Sequence, residues 1–177
     1  ERSAGMFNRI TPGAADQPLL NPDFPSYNFD VIDGVSYRID LSQPSKFDPS
    51  GAMLNPGAQR IRDLTFDGAP LDPEAEFIVA TNNYRASGGG AFPGAMGDTI
   101  VFEAPDTNRD VIVRYILEQG TVDPATNSNW RFAPMPGTSV LFETGPAARG
   151  YSGAVGSLTL EDAGDTAEGF ARFRIQL

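Results

Sequence analysis

Val35, Tyr37, Ile39 and Leu41 alternate with Ser36, Arg38 and Asp40. Only an extended strand gathers such a set on one face, because side chains repeat every second residue in a strand and about every 3.6 residues in a helix. Tyr27 to Leu41 therefore reads as extended structure whose apolar face must be covered by another part of the chain. Ile61, Leu64 and Phe66 predict a second strand, closed by an Asp67-Gly68 turn signal. Phe77 to Thr81, after Leu71-Asp72-Pro73, predicts a third. Strands this close in sequence imply an antiparallel meander.

The flanking segments fill in the class. Met6, Phe7 and Ile10 have helical spacing, so Glu1 to Ile10 reads as the last turns of a helix stopped by Thr11-Pro12-Gly13. Ala14 to Ser26, with Pro18, Pro22 and Pro25, reads as loop, and Pro44 to Gly57 as a Pro/Gly-rich excursion. Thr99 to Phe102 predicts a short strand. Asp106 to Gln119 is the clearest helix: Thr107 with Asp110 resembles a capping box, Gly120 is a stop, and Ile112 and Ile116 share a face. Trp130 to Ala133, Val140 to Phe142 and Phe170 to Leu177 predict further strands, the last at a sheet edge. There is no internal repeat. The class is α+β, a mixed and largely antiparallel sheet with a few packed helices.

Composition narrows the chemistry. The 177 residues suffice for one domain with a full core, and no apolar run approaches the ~20 residues that span a bilayer. The net charge of −10, with no basic stripe, disfavours polymeric nucleic acid as a partner. The chain has no Cys, which excludes disulfides, Cys-ligated zinc and thiol catalysis. It also has no His, which removes the usual zinc ligand, the Ser-His-Asp triad and the commonest general base. Paired carboxylates or Lys remain available to an enzyme. The chain opens Glu1-Arg2-Ser3 without Met, the expectation for a mature or cut-out fragment.

One run carries the binding signal. In Ala80-Thr81-Asn82-Asn83-Tyr84-Arg85-Ala86-Ser87-Gly88-Gly89-Gly90, an apolar strand passes into amides, an aromatic and three glycines. Glycine lets backbone approach a ligand closely or adopt positive φ. Tyr84 offers a flat face to a planar ring; the competing role is a plug at the end of a sheet. The glycines fit neither a Walker loop, since no Lys-Ser/Thr follows Gly94, nor the dinucleotide fingerprint, since Phe92-Pro93 breaks a helix start. Close approach to a nucleoside and a simple turn both remain open for them. Asp33-Gly34 is a turn signal before it is half of a carboxylate pair with Asp30. Glu161, Asp162, Asp165 and Glu168, broken by Gly164, lack calcium-loop spacing and read as a solvated loop. Trp130, after Asn129, could face a ligand, but a lone Trp at a strand start is more often core, and it reads as core first.

Ser3-Ala4-Gly5-Met6-Phe7-Asn8, Tyr27-Asn28-Phe29-Asp30-Val31-Ile32-Asp33-Gly34-Val35, Ala80 to Gly90 and Asn129-Trp130-Arg131-Phe132-Ala133-Pro134 together resemble the C-terminal domain of the 5′-nucleotidase family. The branch they are most similar to is the periplasmic bifunctional 2′,3′-cyclic-nucleotide 2′-phosphodiesterase/3′-nucleotidase. The resemblance covers nearly the whole chain and weakens from Gly137 onward. It implies that residues 1–177 form a single substrate-binding domain that lacks its N-terminal strands. An upstream metallophosphoesterase domain would hold two divalent metal ions on His, Asp and Asn side chains.

In that family the base stacks between two aromatic rings. By resemblance Tyr84 takes the place of the second ring. Asn83 and Gly88, Gly89 and Gly90 match the ribose- and base-side wall. The first ring lies upstream of this chain. Where this chain has Gly90, some relatives carry an acidic or basic residue, so the position does not fix base preference.

The resemblance implies a parent hydrolase, located in the periplasm or outside the cell, that works on nucleotides with metal-activated water. This chain would contribute no catalytic residue and no cofactor of its own. Its partners would be the nucleoside or nucleotide and the metal domain. A sheet edge left bare would allow a second copy to pair there. The alternatives are a stand-alone nucleoside- or carbohydrate-binding module, or an acidic secreted interaction domain.

Overall fold

The computed structural model describes residues 1–124, 126–154 and 159–177. The chain divides into two compact units, one formed by Glu1–Leu71 with Asn129–Leu177 and the other by Asp72–Ser128. The fold is α+β, with mixed sheets and few helices.

The first unit contains both sheets. One runs β4-β3-β2-β5, with β2 Val35–Ile39, β3 Ile61–Phe66, β4 Ala69–Pro70 and β5 Trp130–Phe132. The other runs β1-β6-β8-β7, with β1 Gln17–Pro18, β6 Ser139–Thr144, β7 Leu160–Asp165 and β8 Ala171–Gln176. The pairs β2–β3, β3–β4, β6–β8 and β7–β8 are antiparallel; β1–β6 and β2–β5 are parallel.

The meander forms, but its third strand is β4 rather than Phe77 to Thr81. Asp67 and Gly68 both take positive φ, 49° and 78°, as a tight hairpin turn of the primed type requires. The uneven spacing of Ile61, Leu64 and Phe66 has a cause in the ladder. Ser36 pairs with Thr65 and Arg38 with Arg62, so Asp63 and Leu64 together oppose Tyr37 in a bulge, with Asp63 at φ 50°.

The core draws on both sheets. Ile39 and Leu41 meet Val140 and Ile175, with Ala4, Phe7, Ile10, Leu19 and Met135 around them. Phe7 and Ile10 belong to this core although the expected helix over Glu1 to Ile10 is only a 3-10 turn at Ser3–Met6. Extended pairing replaces the rest: Phe7 bridges Leu20, and the Ile10 amide donates to the Leu41 carbonyl at 2.8 Å. Within the stretch expected to be loop, Gln17 and Pro18 form β1.

Arg60 is buried at 1% exposure beside this core. Its guanidinium donates to the carbonyls of Ala4 and Phe7, each at 2.7 Å, and of Gln43 at 2.9 Å. Burial pushes its pKa down to about 10, so it is still a cation at neutral pH.

Strand β8 buries Ala171, Phe173 and Ile175 on one face, as its alternation predicts. It is not an edge strand, because β7 pairs with it on the side away from β6. That pairing also corrects the reading of the acidic segment. Glu161, Asp162 and Asp165 lie on β7, not in a loop. Arginines answer their charge: Arg174 meets Glu161 at 3.2 Å, and Arg149 meets Asp162 at 2.6 Å and Asp165 at 2.7 Å.

The second unit holds α1 Asn83–Ala86 and α2 Asn108–Gln119. Thr107 caps α2, its hydroxyl oxygen accepting from the Asp110 amide at 3.2 Å, and Gly120 ends it at φ 72°. Its apolar residues, Ile112 and Ile116 among them, stay exposed. The strands expected at Phe77 to Thr81 and Thr99 to Phe102 do not form. Among the described residues no strand pairs with either segment, and β-branched residues alone cannot close a ladder.

Candidate nucleoside-binding loop

Asn82 opens the loop in extended backbone and turns the chain into α1 by capping it. Its side-chain oxygen accepts from the Arg85 amide at 2.8 Å. One helical turn then places Asn83 and Tyr84 outward and Arg85 inward. Asn83 is exposed, Tyr84 is 57% exposed, and Arg85 is only 8% exposed. Gly88 and Gly90 take φ of 95° and 80°, conformations that a side chain would strain. Together these residues bend the chain back over the turn it has just made. The Gly89 amide donates to the Tyr84 carbonyl at 2.8 Å, and the Gly97 amide to the Ala86 carbonyl at 2.9 Å.

Gly89 is glycine for a steric reason. A Cβ there would lie 2.4 Å from the Tyr84 carbonyl oxygen and 2.5 Å from Cε1 of the ring. The loop backbone is thus packed directly on the tyrosine. Arg85 completes the arrangement. Its guanidinium carbon stands 5.4 Å from the Tyr84 ring centroid and 4.6 Å from that of Phe92, and Nη1 donates to the Gly89 carbonyl at 3.0 Å. Such stacking suits a planar, weakly hydrated cation.

The structure therefore brings together Asn83, Tyr84, Gly88, Gly89 and Gly90 on one short turn. The sequence reading did not find Arg85 and Phe92. Phe92 entered it only as a helix breaker beside Pro93, although an Arg between two nearby aromatics is itself a signal.

Residues 11–96, a span that includes the whole loop, match the family described as 5′-nucleotidase, C-terminal domain. This chain belongs to the 5′-nucleotidase C-terminal domain family. It is 44% identical over 188 residues to a 2′,3′-cyclic-nucleotide 2′-phosphodiesterase/3′-nucleotidase of Salmonella typhimurium, covering 100% of this chain and 29% of that protein. With the protein of the same name from Haemophilus influenzae it shares 41% over 189 residues, 100% of this chain and 28% of that one. With a trifunctional nucleotide phosphoesterase protein of Bacillus subtilis it shares 48% over 153 residues, 86% of this chain and 10% of that one. The chain thus spans less than a third of each of these relatives. No solved structure matches.

The other segments of this 5′-nucleotidase-type chain that entered the sequence reading have structural places. Trp130 is half-buried and packs against the core, as expected. It contacts Phe29 and Phe132 edge-on at 5.6 and 5.7 Å, and both of these contact Phe7. Asn129 ties the strand start to its neighbour, donating to the carbonyls of Ile32 at 2.6 Å and Val35 at 2.8 Å. Asp33-Gly34 is a bend, with Gly34 at φ 86°, leading into β2.

Among the described residues no group of His, Cys, Asp or Glu could hold a metal ion. The donor set a divalent ion needs is not assembled there. No helix among the described residues is long and apolar enough to cross a membrane.

Proposed function

We propose that this chain is the nucleoside-binding domain of an extracytoplasmic, metal-dependent phosphoesterase acting on 2′,3′-cyclic nucleotides and 3′-nucleotides. The observation that carries the reading is Tyr84, an aromatic ring left mostly open to solvent on a turn that is otherwise tightly bonded. The names of the relatives supply the substrate class. In this reading the base stacks on Tyr84, with Asn83 and the Gly88-Gly89-Gly90 backbone beside it as polar and close-approach wall. Residues 1–177 act as one substrate-binding domain, joined in the parent protein to an upstream metallophosphoesterase domain. The binding energy positions the phosphate for metal-activated water there. Stacking on one ring is worth ~1–3 kcal/mol per base.

Calorimetric titration with adenosine and with 3′-AMP tests this. Binding in the millimolar range or tighter, lost in Tyr84→Ala and kept in Tyr84→Phe, is the expected result. Equal affinity in wild type and Tyr84→Ala would remove the platform.

A second reading, an acidic interaction domain, draws on the exposed apolar residues of α2. It predicts no nucleoside affinity in any variant.

A further inference from the structure

Tyr84 sits in the first turn of a short helix, where nothing in the backbone alone holds its ring in one orientation. Two contacts on the ring do so, and two more hold the second of them in place. The ring packs on Gly89, the guanidinium of Arg85 lies over it, and that guanidinium is itself held by the Phe92 ring and the Gly89 carbonyl. Arg85 is buried while the tyrosine it covers is open, so the cation is not there to meet solvent. We propose that Arg85 is a positioning residue that clamps the Tyr84 ring and reserves one of its faces, leaving only the opposite face to a planar ligand.

This rests on the reading of Tyr84 as a stacking platform, but its physical core does not. A clamped ring is clamped whether or not a nucleoside binds. The proposal also makes the tyrosine a one-sided surface. A base arriving on the open face meets a ring whose π density is drawn toward the cation on the far side. Lys would keep the charge and lose the planar stack on two rings.

The test uses the 177-residue chain labelled with 3-fluorotyrosine, the Tyr84 resonance being assigned by its loss in Tyr84→Phe. In wild type the Tyr84 line is expected away from that of the free amino acid. In Arg85→Met it should collapse toward the free value, and in Arg85→Lys fall between. Adenosine affinity should weaken about tenfold in Arg85→Met, the scale of a partly desolvated cation–π contact, and less in Arg85→Lys.

If Arg85→Met does not fold, Phe92→Leu removes the second ring while keeping apolar volume, and the same shift of the Tyr84 line is expected. An unchanged Tyr84 line in whichever of these variants folds would overturn the proposal. A line that moves in a chain that binds no adenosine would uphold the clamp and remove the stand-alone nucleoside-binding module.

Discussion

Gly89 and Tyr84 are bonded and packed at once: the glycine amide donates to the tyrosine carbonyl at 2.8 Å, and the space a Cβ would need is filled by the ring and that same carbonyl. Gly89→Ala must therefore displace Tyr84 or break the bond, at an overpacking cost of ~1–3 kcal/mol. Gly94 is a control of the opposite kind. It has φ 83° and nothing within 4 Å, so alanine there strains only the local backbone. The expectation is that Gly89→Ala weakens adenosine binding and shifts the Tyr84 signal. Gly94→Ala should lower stability slightly and leave that signal alone. Calorimetry with thermal unfolding separates the two.

Thr107 caps an exposed helix that receives little help from packing. Thr107→Ala removes the oxygen that accepts from Asp110, a loss of ~1 kcal/mol. Because isolated helices of this length are marginal, the loss should appear as reduced ellipticity at 222 nm before any global transition. Thr107→Asp, which keeps an acceptor at the positive end of the helix, should restore it.

Arg60 supplies donors to the Ala4, Phe7 and Gln43 carbonyls. Arg60→Met leaves them without that donor in a buried site, so a fall of about 3 kcal/mol in unfolding free energy is expected. Arg60→Lys should recover only part of it, since one ammonium cannot repeat the fork. Urea midpoints measure both.

Arg174 grips the Asp16 carboxylate, with Nη2 donating to Oδ2 at 2.8 Å, and this hydrogen bond holds the Asp16 pKa below the usual carboxylate range. Asp162 is lowered in the same direction by its hydrogen bond to Arg149. A carboxylate whose folded pKa is depressed stabilises the fold above its unfolded pKa, ~3.9, and the benefit is lost as pH falls through the folded value. Wild type should therefore lose stability below about pH 4. Asp16→Asn should lose less over the same interval, having less to lose. Both groups are at the surface, so raised salt should shrink the difference. Denaturant midpoints against pH, at two ionic strengths, check it.

Local signals in the sequence were reliable where the structure they predict is also local. Thr107 and Gly120 bounded α2, Asp67-Gly68 turned the hairpin, and the alternation from Val35 placed β2. The parallel pairing of β2 with β5 joins residues far apart in the chain, and nothing near Tyr37 announces Trp130 as its partner. The same limit explains the strands expected at Phe77 to Thr81 and Thr99 to Phe102. Their residues favour extended backbone, but a strand needs a neighbour. At the loop, Tyr84 and the glycines stood out by type. The Arg85 clamp did not, since it depends on how the glycines fold the chain back.

The order β4-β3-β2-β5 places the two ends of the Asp72–Ser128 excursion on opposite edges of one sheet. The chain leaves just after Pro70, which pairs with Thr65 and hence lies level with Ser36, and re-enters at Trp130, level with Tyr37. Three strand spacings separate those points, ~14 Å. A handful of residues could cross that gap, and closing a longer loop adds only ~0.6 kcal/mol per doubling of its length. The length of the excursion is therefore not set by the gap its ends must span, and the register of the strands on either side does not depend on it.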